Sequence, residues 1–208
     1  MTRDVSIFDR FARAYDAAMP PADREPLMAG LAYARRPVER VADVGGGTGR
    51  GARALDAPDR MVVDAAPGML RQVPAGIGAV AGDATRLPLA ADSVDAVIVV
   101  DALHHIPNHA AVLAELRRVL RPGGVVVVSE FDPTTLRGVL LDAAEALVGF
   151  HSTFRSPDAL AAMAREAGFE VATPRRGFTY TLVGVVPESV QRDAPGERRA
   201  PDISRSGE

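Results

Sequence analysis

The residues best suited to chemistry begin at Asp43. In VADVGGGTGR (41–50) it precedes Gly45, Gly47 and Gly49 in an acid-x-G-x-G-x-G spacing. A loop with so few side chains lets a ligand come close to backbone N–H donors, which makes this stretch a small-molecule cradle. Asp64 follows nineteen positions after Gly45 (64 − 45), at the end of the apolar run MVVD, where a carboxylate can accept hydrogen bonds from both hydroxyls of a ribose. Asp83, in AGDATRLPL, closes the next such run and could accept from an exocyclic amine. Three acids at three successive run ends suit a ligand with ribose and amino donors and no pyrophosphate. A dinucleotide fingerprint is met only in a forced register from Gly47 to Ala52, because Arg50 takes the last glycine position of the register that starts at Gly45. A phosphate loop is excluded, since there is no Gly-Lys-Ser/Thr.

Proton acceptors gather downstream. They are His104 and His105 in VVDALHHI, His109, His151, and Glu130 and Asp132 in SEFD. His104 and His105 follow directly on an apolar run, on the same side of the fold as the acids, and His105 is the preferred general base, His104 the second choice. Cysteine is absent, which excludes thiolate chemistry, and all 24 basic residues are arginine, which excludes a Schiff-base lysine. A net charge of −3 offers no surface for tracking phosphates, so no nucleic-acid partner is expected. No apolar run approaches the roughly 20 residues of a membrane span. The expected location is cytoplasmic, with any membrane contact made through a face of the protein.

These residues need a scaffold. Apolar runs at 40–44, 61–63, 79–81, 96–100 and 125–129 are near-continuous, the pattern of parallel strands covered on both faces. Between the fourth and fifth, 108–121 reads as a helix capped by Asn108, with Val112, Leu113, Leu116, Val119 and Leu120 as its buried stripe and Pro122-Gly123-Gly124 as its stop. Further helices are expected over 6–19 and 23–35, over 134–150, and from Ser156-Pro157-Asp158 to Gly168. Two closing runs, 170–172 and 178–186, flank the turn TPRRG and read as a hairpin. The pattern predicts an α/β fold: a doubly wound, Rossmann-like sheet of seven strands, parallel with one antiparallel strand in the edge region, with helices on both faces. Residues 1–36 then form helices capping the site, 37–186 the core, and 187–208 a tail too polar and proline-rich to stay ordered.

The segments VADVGGGTG, VVDAAPGML, GDATRLPLAADSVDAVIVVDALHHI and RRVLRPGGVVVVSEFD, in that order, resemble the class I S-adenosylmethionine-dependent methyltransferases, within the group similar to the ubiquinone/menaquinone C-methyltransferases. FDRFARAYD resembles the N-terminal helix of that group, and the resemblance covers residues 8–185. It implies S-adenosyl-L-methionine as cofactor. Gly45, Gly47 and Gly49 would back its amino-acid part, and Asp43 would orient the loop or meet the ammonium through water. Asp64 would hold the ribose with Ala65 beside it, Asp83 the adenine amine, and the Ala84 N–H a ring nitrogen. Asp101 would lie under the methionine end, and Tyr15 would close over it.

In this group the acceptor meets the N-terminal helices and the segment after the fifth strand. Here these carry Ile7, Phe8, Phe11, Leu136, Val139, Leu140, Leu141, Leu147 and Phe150, with Phe154 and His151 following. The expected acceptor is therefore a small lipophilic molecule, first a quinone-ring carbon. The alternatives are O- or N-methylation of another small metabolite, or a cofactor-binding protein without turnover. A nicotinamide oxidoreductase is the rival enzyme. It needs the forced glycine register and a Tyr/Lys dyad that a lysine-free chain cannot supply. The sequence DALHHI stands where amine methylases of nucleobases carry (D/N)PPY, which disfavours such acceptors.

Overall fold

The computed structural model describes residues 19–150 and 152–188, together with positions 5, 8–10, 12 and 15. Ile7, Phe11, His151 and the tail beyond 188 lie outside the described residues. Seven strands form one sheet: β1 (Arg40–Val44), β2 (Asp59–Asp64), β3 (Gly78–Ala81), β4 (Val94–Val100), β5 (Leu120–Phe131), β6 (Glu170–Arg175) and β7 (Thr179–Val185). Their order is β3-β2-β1-β4-β5-β7-β6. Neighbours are parallel except at β7, which runs antiparallel to both β5 and β6, so the single reversed strand sits one place in from the edge. The chain winds outward from β1 to β3 and returns beside β1 as β4. The carboxyl ends of β1 and β4 therefore flank the crevice where open α/β sheets bind ligands.

Alternation along each strand explains the near-continuous apolar runs. Val97, Val99, Val126 and Val128 face one core, shared with α4 (His109–Val119) and α6 (Pro157–Glu166). Ala96, Ile98, Val125 and Val127 face the other, covered by Leu27 and Leu31 of α1 (Arg24–Leu31). The central residues of β4 and β5 are buried on both faces, so each of these apolar side chains answers to a core on its own side.

Several boundaries differ from the sequence reading. The first helix of the described core ends at Leu31, not 35, because Arg35 and Arg36 turn outward into ion pairs with Glu170 and Asp95. After β1 and β2 the chain makes only the short helices α2 (Arg50–Arg53) and α3 (Pro67–Leu70). The fourth helix stops at Val119, and β5 begins at Leu120, which pairs with Val94 before a register shift carries the strand past Pro122-Gly123-Gly124. Pro174 lies inside β6, tolerated on an edge strand where the missing N–H is not needed by a second neighbour.

The last boundary matters for the site. Helix α5 (Leu136–Val148) is capped by the Thr135 hydroxyl, which accepts from the Gly138 N–H, and stopped by Gly149 at φ 95°. It presses its first turn against the end of β5 so closely that a Cβ on Gly138 would lie 1.9 Å from the Asp132 carbonyl oxygen. Only glycine permits that approach.

Candidate active site

The glycine loop divides its labour. Gly45 (φ 69°) and Gly47 (φ 57°) adopt left-handed backbone that favours glycine, and both border a cavity of about 610 Å³ at the switch point. A Cβ on Gly45 would sit 2.8 Å from the Ala102 Cβ. Gly49 (φ 85°) starts α2 and packs toward Val62 without bordering the cavity. Gly46 and Gly51 serve the acid: Cβ atoms there would lie 2.4 Å from the Asp43 Cγ and 2.8 Å from its Oδ2. The bareness of the turn thus makes room for the Asp43 carboxylate as well as for a ligand.

Asp43 borders the cavity fully buried; its Oδ2 accepts from the Ala52 N–H at 2.7 Å, while its Oδ1 is buried without a partner. Burial raises its pKa to about 7, against the Ala52 N–H, which lowers it. Asp64 ties two loops together, with Oδ2 accepting from the Gly47 N–H and Oδ1 from the Ala66 N–H, both at 2.8 Å. Asp83 holds the Thr85 N–H and hydroxyl through Oδ1 at the rim. Asp101 stands in left-handed backbone (φ 50°) at the end of β4, and burial raises its pKa. Ala65, Ala84 and Tyr15 also line the cavity.

Arg50, read in the sequence only as a misfit for dinucleotides, turns out to be central. Its guanidinium is buried, donates to Asp101 Oδ2 at 3.2 Å and to the Pro20 carbonyl, and lies 5.5 Å over the Tyr15 ring. The cavity therefore offers one fixed cation among its carboxylates. The position of Arg50 directly after a Gly-rich turn, at the first residue of a helix, was the available signal.

The two histidines part company. His105 borders the cavity, its ring 4.9 Å from Phe8 and 4.9 Å from Phe150. Ser152 Oγ contacts His105 Nδ1 at 3.3 Å and hydrogen-bonds Glu145 Oε2. A carboxylate only accepts, so the Ser152 hydroxyl donates to it, its oxygen accepts from Nδ1–H, and the lone pair of His105 is left on Nε2. His104 lies behind, buried and stacked on Phe154 at 4.4 Å, with Nδ1 2.7 Å from Glu130 Oε2. Burial opposes charging this imidazole, but Glu130 and then Glu145 outweigh it and push the pKa up to about 10. An imidazolium so held does not act as a base at neutral pH, which removes His104 from that role. Glu130 is fully engaged, since its Oε1 also accepts from the Ala102 and Leu103 N–H groups. His109 binds the Leu103 carbonyl and Arg155, and Asp132 caps the turn before α5. Of the apolar side chains expected at the acceptor, Phe8 and Phe150 reach His105, whereas Leu136, Val139, Leu140 and Leu147 are exposed.

Residues 42–128 match the model of a methyltransferase domain family. The chain is 38 % identical over 176 residues to a demethylmenaquinone methyltransferase of Beutenbergia cavernae, covering 79 % of this chain and 71 % of the relative. The chain belongs to the class I S-adenosylmethionine-dependent methyltransferases. It is also 32 % identical over 194 residues to a malonyl-[acyl-carrier protein] O-methyltransferase of Methylococcus capsulatus, covering 84 % and 70 % of the two chains. It spans 61 % of the length of a mycobacterial demethylmenaquinone methyltransferase. An S-adenosylmethionine-dependent methyltransferase from Thermotoga maritima superposes with a TM-score of 0.69 at 25 % identity, covering 86 % of this chain and 98 % of that one.

S-adenosylmethionine is the cofactor of this family, and the residues fit it. The unpartnered Asp43 Oδ1 awaits a donor, the Gly45 and Gly47 cradle would be filled by any Cβ, and an amino acid's paired charges find Asp43, Asp101 and Arg50 in one wall.

Proposed function

We propose that the protein methylates a small lipophilic ring, in particular the ring carbon of a quinol, with His105 receiving the proton of the ring hydroxyl. The carrying observation is the cavity's two-sided wall. Carboxylates and Arg50 line one part, while Phe8, Tyr15 and His105 line another, with the Phe150 ring packed at a tilt behind. S-adenosylmethionine supplies an activated methyl group on a sulfonium, so the protein's task is to hold the acceptor in line and dry. In this reading Asp64 accepts from the ribose, Asp83 and the Ala84 N–H take the adenine, and Asp43, Asp101 and Arg50 together hold the charged amino-acid end. Residues 1–36 act as the cap. This is supported by Asp9, which accepts from the Gly68 N–H at the start of α3, and by Phe8 and Tyr15 in the wall. The demethylmenaquinone relative supports the quinol, and the malonyl relative keeps O-methylation as the second reading.

Calorimetric titration with S-adenosylmethionine and separately with NADH should show selective binding of the former. Asp64→Ala is expected to raise the Kd about 100-fold, since a bidentate acceptor and both loop ties are lost. His105→Ala should leave that Kd within about threefold and lower methyl transfer to a demethylated quinol by about 10²–10⁴. Unchanged affinity in the first variant overturns the ribose assignment, and unchanged turnover in the second overturns the base. Incorporation of label into carboxyl or hydroxyl acceptors alone selects the O-methyl reading.

Among the described residues no helix is long and apolar enough to cross a membrane. Helix α5 nevertheless turns its apolar stripe outward, with Leu136 78 % and Leu147 89 % exposed on the face opposite Glu145. Its last turn leads into Phe150 at the acceptor side. We propose that this stripe meets the lipid surface in which a prenylated acceptor dissolves. Neutral vesicles should retain the wild-type protein and release the Leu136→Ser/Leu140→Ser/Leu147→Ser variant. Equal retention of both removes the assignment.

A further inference from the structure

Behind the acceptor wall, two carboxylates face one imidazole in a way that hydrogen bonds alone do not complete. His104 gives Nδ1 to Glu130 at 2.7 Å and turns Nε2 toward Glu145 Oε1 at 3.7 Å. That distance is too long for a hydrogen bond. It is close to the separation of two ligands about 2.0–2.2 Å from one ion. A ring nitrogen of His105 completes the set, with all three donor atoms within 4.8 Å of one another.

We infer that His104, His105 and Glu145 form a binding site for a borderline divalent cation of the zinc type. Three further features favour it. Glu130 stands behind His104 as the carboxylate that fixes the tautomer of a metal-bound imidazole, leaving the Nε2 lone pair toward the ion. Ser152 holds Glu145 by Oε2 and leaves Oε1 for the metal. Charge also balances, because Glu130 and Glu145 supply two negative charges and a neutral His104 leaves them to a dication. Two imidazoles and one carboxylate are the donor set for zinc, iron or manganese rather than for magnesium or calcium. Loading displaces the proton from His104 and takes a nitrogen of His105, so a filled site withdraws His105 from proton transfer. That last consequence rests on the function proposed above; the binding does not.

The test uses the full chain, freed of metal with a chelator and titrated with zinc chloride by calorimetry, with cobalt chloride as an optical probe. The expected result is one equivalent bound with micromolar Kd, proton release on binding, and cobalt d–d bands of a nitrogen/oxygen site. Glu145→Gln should weaken zinc binding at least tenfold, and Ser152→Ala should weaken it by a smaller factor, since it keeps all three donors and loses only the bond that holds Glu145. No stoichiometric binding to folded wild type overturns the site, as does binding that Glu145→Gln leaves intact. A parallel titration of the metal-free protein with S-adenosylmethionine reports on the cofactor cavity separately, so failure of the one is not mistaken for failure of the other.

Discussion

Glu130→Ala is expected to cost about 3–5 kcal/mol of stability, the cost of leaving a buried ion without its partner. Glu130 lies fully buried at the end of β5 and serves three groups: the Ala102 and Leu103 N–H groups through Oε1 and the His104 imidazolium through Oε2. Burial works against its ionisation, yet His104 and the Leu103 N–H together hold its pKa below the usual range. Alanine would leave a charged or newly desolvated imidazole and two unpaired donors at the turn that carries both histidines. For a chain of this length the loss corresponds to a fall in Tm on the order of 10 °C. Glu130→Gln, whose carbonyl can still accept from the backbone, should lose less. Chemical denaturation of metal-free protein at pH 7 measures both. Wild-type stability in Glu130→Ala would show that the cluster contributes nothing to the fold, and the placement of His105 would need another cause.

The parts legible in the sequence were those with one dominant local cause. Asp43, Asp64 and Asp83 stand at or within two residues of the carboxyl ends of β1, β2 and β3, so apolar runs and acids together marked a single edge of the sheet, although β3 itself is largely exposed rather than covered on both faces. The glycine turn was legible as a cradle, but not the reason for each glycine. Gly46 and Gly51 answer to Asp43, whose carboxylate folds back under the loop, and a contact between residues three or eight apart in a turn leaves no periodic trace. The histidine pair shows the same limit. Adjacent positions in a 3₁₀ turn project to different sides, one to the cavity and one to Glu130, and that depends on β5, 26 residues downstream of His104 (130 − 104). Helix α5 misled for an opposite reason. The family resemblance makes its leucines a wall for the acceptor, whereas its covered side is made of Gly138, Leu141 and Glu145.

Asp43 makes the stability of the cofactor-free protein fall as pH rises. Its folded pKa, about 7, lies above its ordinary 3.8 because burial penalises the charge. A raised carboxyl contributes stability that is fully present below the unfolded pKa and is lost as pH climbs through the folded one. At about 1.4 kcal/mol per pH unit, the loss between pH 4 and 7 reaches about 4 kcal/mol, with little further change above. Asp43→Asn, which cannot ionise, should lack that slope, so its stability relative to wild type improves by a comparable amount across the same range. Denaturant midpoints at pH 5 and pH 8 read the difference directly. S-adenosylmethionine should act in the opposite sense. A donor reaching the unpartnered Oδ1, or an ammonium nearby, stabilises the ionised form, so binding at pH 6.5 should release a fraction of a proton from Asp43. Calorimetry in two buffers of different ionisation enthalpy counts it, and Asp43→Asn should abolish the release while weakening binding. A wild type that binds the cofactor at pH 6.5 with no proton release would place the ammonium away from Asp43 and assign it to Asp101 instead.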